Sequence, residues 1–239
     1  MSEKGDEAVL SEEMRRFLEE KGAAHVGFAD MSGVPGCNFP RAVSVVLPIP
    51  KDIAAELKVG PTAAYREVYK DLNKRLDRIV TEGGLFLRER GYRAQAQTLD
   101  FVEKDLDYDD HSNSLCTEIP HKTAAARAGL GWIGKSCLLV TREFGSAVRI
   151  STILTDAPLE CGQPITRSRC GSCDDCCRAC PGGALSGKLW EEGVGREEIM
   201  DIWACSEAMA RVCRERGVEG AICGKCFAVC PYTERYVGG

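Results

Sequence analysis

The chain has 239 residues, 44% of them apolar, and a formal net charge of −5. That is enough apolar material for one large core or two smaller ones, and no overall basic field invites nucleic acid or an anionic membrane. Residues 1–7 are charged and lead into no apolar run, and no window reaches the roughly 18 apolar residues of a spanning helix, so a soluble, cytoplasmic protein with no membrane association is expected.

In chain order, Ser11 to Lys21 reads as a helix, with Ser11 at the N-cap, acids in the first turn and Gly22 as the stop. Val43 to Leu47 is β-branched and ends at Pro48, the mark of a buried strand. From Thr62 to Arg90 apolar residues fall at 65, 68, 69, 72, 76 and 79, one face of a long helix that the Gly83-Gly84 pair is placed to break or bend. Tyr92 to Leu99 alternates like a strand, and residues 100–114, with Asp100, Glu103, Asp105, Asp107, Asp109 and Asp110, read as an acidic solvated loop. Pro120 opens a short Ala-rich helix that Gly129 ends, and residues 136–141 and 148–155 read as two more strands. Residues 1–158 are therefore expected to form one mixed α/β domain, and residues 159–239 a small module stapled by metal.

Fourteen cysteines in a chain without an export signal point to metal or redox chemistry rather than to a disulfide framework. Cys37, Cys116, Cys137 and Cys161 are scattered and read as ordinary thiols; the other ten crowd between Cys170 and Cys230. Cys170, Cys173, Cys176 and Cys180, the last followed by Pro181, follow the bacterial ferredoxin spacing, in which three thiolates take one 4Fe–4S cube and the fourth reaches the other. Cys223, Cys226 and Cys230-Pro231 repeat the ending, with Gly220 where a leading cysteine would stand. One cluster is thus expected on Cys170, Cys173, Cys176 and Cys230. The other takes Cys180, Cys223, Cys226 and a remote thiol, for which Cys205 and Cys213 both qualify on spacing. A pair of zinc sites would want two C-x2-C pairs instead. Cys177, inside the first motif, is surplus to the pattern.

Residues 128–135 (Ala-Gly-Leu-Gly-Trp-Ile-Gly-Lys) resemble a signature of the epoxyqueuosine reductases. So do Leu138-Leu139-Val140, the run from Leu154 to Leu159, the helix from Tyr65 to Leu76 and the double cysteine module, together covering roughly residues 60–235 in the same order. The resemblance implies an α+β protein with a nitroreductase-like N-terminal domain followed by a bacterial-ferredoxin-like double-cluster module. It further implies that cobalamin is bound over the first domain, as in the related reductive dehalogenases. It makes Gly129, Gly131, Trp132, Gly134 and Lys135 a cofactor-facing loop, whereas the residues alone are equally a tight connection that packs Trp132 inside. Because the run from Ile199 to Ala204 resembles the segment before the family's remote cysteine, the resemblance also favours Cys205.

The family's acid lies three residues before a proline, where Thr117 stands here, so Glu118 beside it is the candidate catalytic acid. The histidine expected in the helix from Tyr65 to Leu76 is Tyr69. The chain also stops soon after the second cysteine motif, where the tRNA-modifying members continue into helical repeats; with the acidic balance, this argues against a tRNA substrate. The leading expectation is an iron–sulfur oxidoreductase in which a ferredoxin or flavodoxin supplies electrons that pass through two 4Fe–4S clusters to a corrinoid. The alternatives are a corrinoid-free electron carrier or adaptor docking a partner redox enzyme, and a flavin-dependent reductase.

Overall fold

The computed structural model describes residues 3–104 and 106–239; Met1, Ser2 and Asp105 of the expected charged N-terminus and acidic loop lie outside the described residues. The elements in chain order are α1 (Glu3–Glu20), β1 (His25–Asp30), β2 (Arg41–Pro48), α2 (Lys51–Glu56), α3 (Ala63–Glu89), β3 (Ala94–Gln97), α4 (Leu99–Glu103) and α5 (His121–Arg127). There follow β4 (Trp132–Ile133), β5 (Leu139–Val140), β6 (Val148–Thr155), α6 (Asp175–Ala179), a 3-10 turn (Arg196–Glu198), α7 (Ile202–Glu215), α8 (Lys225–Ala228) and α9 (Pro231–Gly238). The fold is mixed α/β.

Compactness divides the chain differently from the expected boundary at residue 158. Unit one comprises Met1–Leu47, Asn73–Leu130 and Arg149–Ile165, and unit two Pro48–Leu72, Gly131–Val148 and Thr166–Gly239. Cysteine density marks where the ligands begin, but the shorter stretches from 48 and 131 build unit two with them. A boundary read from composition cannot show such interleaving.

Unit one is a four-stranded sheet in the order β1-β2-β6-β3, with β1 antiparallel to β2 and β3 antiparallel to β6. Met14, Leu18, Phe28, Ile79, Leu87 and Ile153 are almost wholly buried, each burial stabilising by about 1.5–3 kcal/mol. A second cluster joins Ala29, Met31 and Ala42 to Ile119, Ala124, Ala128 and Leu154. Three expectations are corrected here. The first helix begins eight residues before Ser11, whose hydroxyl donates to Glu7 O at 2.7 Å instead of capping. The Gly83-Gly84 pair neither breaks nor bends α3 into two helices: a Cβ at Gly83 would stand 2.6 Å from Ile153 Cδ1 and 2.8 Å from Leu18 Cδ2, so glycine is there for close packing. And the acidic segment opens with the short helix α4.

Unit two has less regular structure. β4 and β5 form a small antiparallel hairpin, pairing Trp132 with Val140 and Ile133 with Leu139. Only residues 139–140 of the expected strand over 136–141 are extended, because the chain turns between Gly134 and Leu138, with Gly134 N donating to Leu138 O at 2.9 Å. Short helices do the rest, α2 packing on α9 and α6 on α8. Among the described residues, no helix is long and apolar enough to cross a membrane.

Candidate iron–sulfur centre

The cysteine motifs are carried on matching local frames. Cys176 and Cys177 lie in α6 and Cys226 in α8. Each motif ends in a Cys-Pro whose cysteine is extended, at φ −67°, ψ 116° for Cys180 and φ −65°, ψ 128° for Cys230. The proline enforces this, since it bars the helical region to the residue before it and so turns each thiol away from the helix bearing its neighbours. Cys180 Sγ accepts from Ala184 N at 3.4 Å, the kind of N–H contact that stabilises a thiolate. All fourteen cysteines are free thiols, and the eight expected ligands are all half-buried.

Mutual electrostatics sort the thiols. Burial, then Cys177, Cys170 and Cys230, push the Cys176 thiol up to about 12. Cys173 is raised too, by burial, Asp175 and Cys230, against a lowering backbone hydrogen bond that is the largest single influence. Cys205 is pushed up to about 11 by burial, then Cys180 and Cys223. Cys226 is raised by burial and then by Cys223, Cys205, Cys176 and Cys180. Cys230 thus acts on the first motif and Cys180 on the second, and Cys176 of the first motif acts on Cys226 as well. Among the described residues no three His, Cys, Asp or Glu side chains converge on a point that could hold a single metal ion. In a four-iron cube each thiolate binds a different iron, so its ligands need no such point.

Both remote candidates lie on α7, which Asp201 caps by accepting from Trp203 N and Ala204 N at 3.0 Å each. They differ in employment. Cys213 is fully buried, donates to Ile222 O at 3.0 Å and accepts from Ile222 N at 3.4 Å. Cys205 is half-buried and feels the other thiols of the second set.

The glycine-rich segment is used up by the protein itself. Gly129 has φ +77° and would bring a Cβ to 2.6 Å from Gln163 O, and a Cβ at Gly131 would collide with Val140 O. At Gly134 it would lie 2.8 Å from Val140 Cγ2 and 3.4 Å from Cys170 Sγ. Trp132 is 1% exposed and meets Tyr232 edge-on at 4.8 Å, while Lys135 is 6% exposed and bonds Asp174 at 2.6 Å. Residues 131–135 are thus buried against the protein's own atoms, while Gly129 is exposed.

Glu118 is an exposed carboxylate beside the turn at Gly36. Unit one also half-buries two titratable groups, His121 and Asp77, while Glu103 is exposed as a whole residue. His121 Nδ1 lies 3.0 Å from Thr152 Oγ1, and burial, then the charge of Arg149, lowers its pKa to about 4. Burial raises the carboxyls of Asp77 and Glu103. Arg149 binds Asn73 Oδ1 through Nε at 3.0 Å and Nη2 at 2.8 Å. A cavity of about 360 Å³ elsewhere in this unit is lined by Arg15, Phe28, Leu130 and Cys161 among others.

No family model matches the chain. Curated epoxyqueuosine reductases do: that of Bacillus anthracis is 39% identical over 101 residues (42% of this chain, 26% of the relative). That of Listeria monocytogenes is 44% identical over 122 residues, 48% of this chain and 30% of the relative. That of Synechocystis is 32% identical over 127 residues, 49% and 41%. These matches span less than half of each relative's own length. Among solved structures, a catabolic reductive dehalogenase in complex with 3-bromo-4-hydroxybenzoic acid superposes with a TM-score of 0.72 at 19% identity, covering 95% of this chain and 32% of its own. An epoxyqueuosine reductase bound to a tRNA stem loop does so with a TM-score of 0.59 at 20% identity, covering 95% and 66%. The chain is thus similar in sequence, over part of its length, to curated epoxyqueuosine reductases, and over nearly all of its length it shares the fold of an epoxyqueuosine reductase and of a reductive dehalogenase.

Proposed function

We propose that the chain is an iron–sulfur oxidoreductase with two 4Fe–4S clusters, one on Cys170, Cys173, Cys176 and Cys230 and the other on Cys180, Cys205, Cys223 and Cys226. The observation that carries this is the pair of matching Cys-Pro motifs, whose cysteines are extended before each proline and, with Cys205, are all half-buried. Bound there, the clusters would supply one-electron transfer. The chain's part is to fix eight thiols, through two Cys-Pro turns and the cap of α7, and to hold them half-buried. In this reading unit one is nitroreductase-like and the cysteine module bacterial-ferredoxin-like, and a ferredoxin or flavodoxin is the donor. The substrate is a small molecule rather than tRNA, given the net charge of −5.

Kinship with a neighbour described by B12-dependent dehalogenation suggests a corrinoid as acceptor. Residues 131–135, buried against the protein's own atoms, do not fit as its seat, and no step is assigned to it. Their closure against the protein's own backbone favours a second reading, a corrinoid-free electron-transfer protein. Titrating cluster-loaded protein with cobalamin separates the two: a spectral shift on loss of the lower axial base supports the first, and none at near-millimolar cobalamin supports the second.

For the clusters, anaerobic reconstitution is expected to give about eight irons per chain. Cys205→Ala is expected to lose one cluster and Cys213→Ala to keep both. Saturation with two zinc ions and no iron-dependent absorbance would end the cluster reading, and the reverse outcome for the two variants would move the ligand to Cys213.

A further inference from the structure

The hairpin of β4 and β5 packs against the segments of the first thiol set, while Cys137 in its turn acts on Cys205. Gly134 lies so close to Cys170 that a side chain there would touch its sulfur. The Arg169 guanidinium sits 5.8 Å from the Trp132 ring centroid, and Tyr232, two residues beyond Cys230, meets that ring edge-on at 4.8 Å. Lys135 reaches Asp174, between Cys173 and Cys176, at 2.6 Å. The hairpin thus meets the segments that carry Cys170, Cys173, Cys176 and Cys230. Two of its polar groups are noteworthy. The Trp132 indole N–H is buried and has no hydrogen-bond partner among the described residues. The Lys135 ammonium is a cation with a side chain only 7% exposed, whose partner Asp174 is 46% exposed. Solvent screens the carboxylate more than the cation, so the pair leaves a net positive field on its buried side.

On the cluster reading given above, we infer that Lys135 is a positioning and potential-setting residue for the Cys170/Cys173/Cys176/Cys230 cluster. It holds the loop between Cys173 and Cys176 through Asp174, and its charge favours the reduced, more negative form of the cluster. The donor inventory suits such a neighbour, since an orphaned indole N–H and a buried cation both call for an acceptor rich in electrons.

The test is a redox titration of the reconstituted full-length chain, followed by absorbance and electron paramagnetic resonance. In Lys135→Met, one of the two clusters is expected to become harder to reduce by on the order of tenfold, about 59 mV for one electron. Lys135→Arg is expected to restore it. Asp174→Asn keeps an oxygen for Lys135 but removes the counter-charge, so the same cluster becomes easier to reduce, by a smaller factor. Opposite signs in the two variants are what a merely structural contact would not produce. Unchanged potentials in both, or shifts of the same sign, would overturn the inference. If Lys135→Met fails to take up iron, Asp174→Asn decides alone, a raised potential supporting the inference and an unmoved one refuting it. Wild-type protein that binds no iron would instead remove the cluster reading on which the inference rests.

Discussion

Gly145→Ala is a demanding test of how unit two is assembled. Gly145 has φ +58°, and a Cβ there would sit 2.6 Å from Thr233 Cα and closer still to Thr233 N, both in the first turn of α9. The backbone around it is committed: Thr141 N donates to Gly145 O at 2.9 Å, and Ser146 N donates to Thr233 Oγ1 at 3.0 Å. An alanine in the left-handed region costs about 1–2 kcal/mol. Because the colliding atoms are backbone, no rotamer change relieves them, and overpacking adds about 1–3 kcal/mol. A loss of some 2–5 kcal/mol corresponds to a melting temperature lower by on the order of 10 °C. Gly217→Ala in the same unit is the control, since Gly217 has φ +66° but open space around it, so only the conformational cost applies. Thermal unfolding of the three proteins, with iron content measured in parallel, reads both effects. Since Thr233 lies three residues past Cys230, Gly145→Ala is also expected to load less iron. Equal destabilisation by the two substitutions would refute the steric argument.

Asp201→Ala removes the cap that starts α7 four residues before Cys205 and should cost about 1 kcal/mol, with faster loss of one cluster to a chelator than in wild type. His121 adds a pH dependence: its folded pKa of about 4 lies below the ordinary 6.5, so the unfolded chain binds the extra proton. The stability it contributes is complete above pH ~6.5 and declines as pH falls towards 4, by roughly 2 kcal/mol; His121→Gln should flatten that limb of a denaturation-versus-pH curve. Gly83→Val should destabilise unit one by about 2 kcal/mol, read by urea denaturation, because the added isopropyl group enters the space held by Ile153, Leu18 and Met14.

What could be read in advance followed from how local the cause is. Val148–Thr155 is a strand over the residues expected, because its β-branched run states the preference within eight positions. The two Cys-Pro motifs, with their extended cysteines, were legible for the same reason, as their spacing is a short-range constraint. β1 was missed: His25–Asp30 contains glycine, alanine and aspartate, and is extended because it pairs with β2 and because Gly27 admits Leu130 against its backbone. The glycines at 129, 131 and 134 show the limit most clearly. A small residue permits close approach without stating what approaches, and here the visitors are Gln163, Val140 and Cys170. Glu118 was chosen by its distance from a proline, whereas the burial of His121 and Asp77 is set only by tertiary structure.

The interleaving of the two units bears on how the protein is made. Unit two takes Pro48–Leu72 and Gly131–Val148 from early in the chain but most of its mass from Thr166–Gly239. At translation rates of roughly 5–20 residues per second, the first of these stretches waits on the order of ten seconds for its partners to emerge. The hairpin that will press on Cys170 is synthesised before any of the eight thiols, so the wall exists before the metal site does. On the proposed ligand assignment, iron delivered before Cys230 emerges would meet an unfinished set, because Cys230 follows Cys170 by sixty residues. Until then an oxidant would find the thiols already made between Cys170 and Cys226 unprotected.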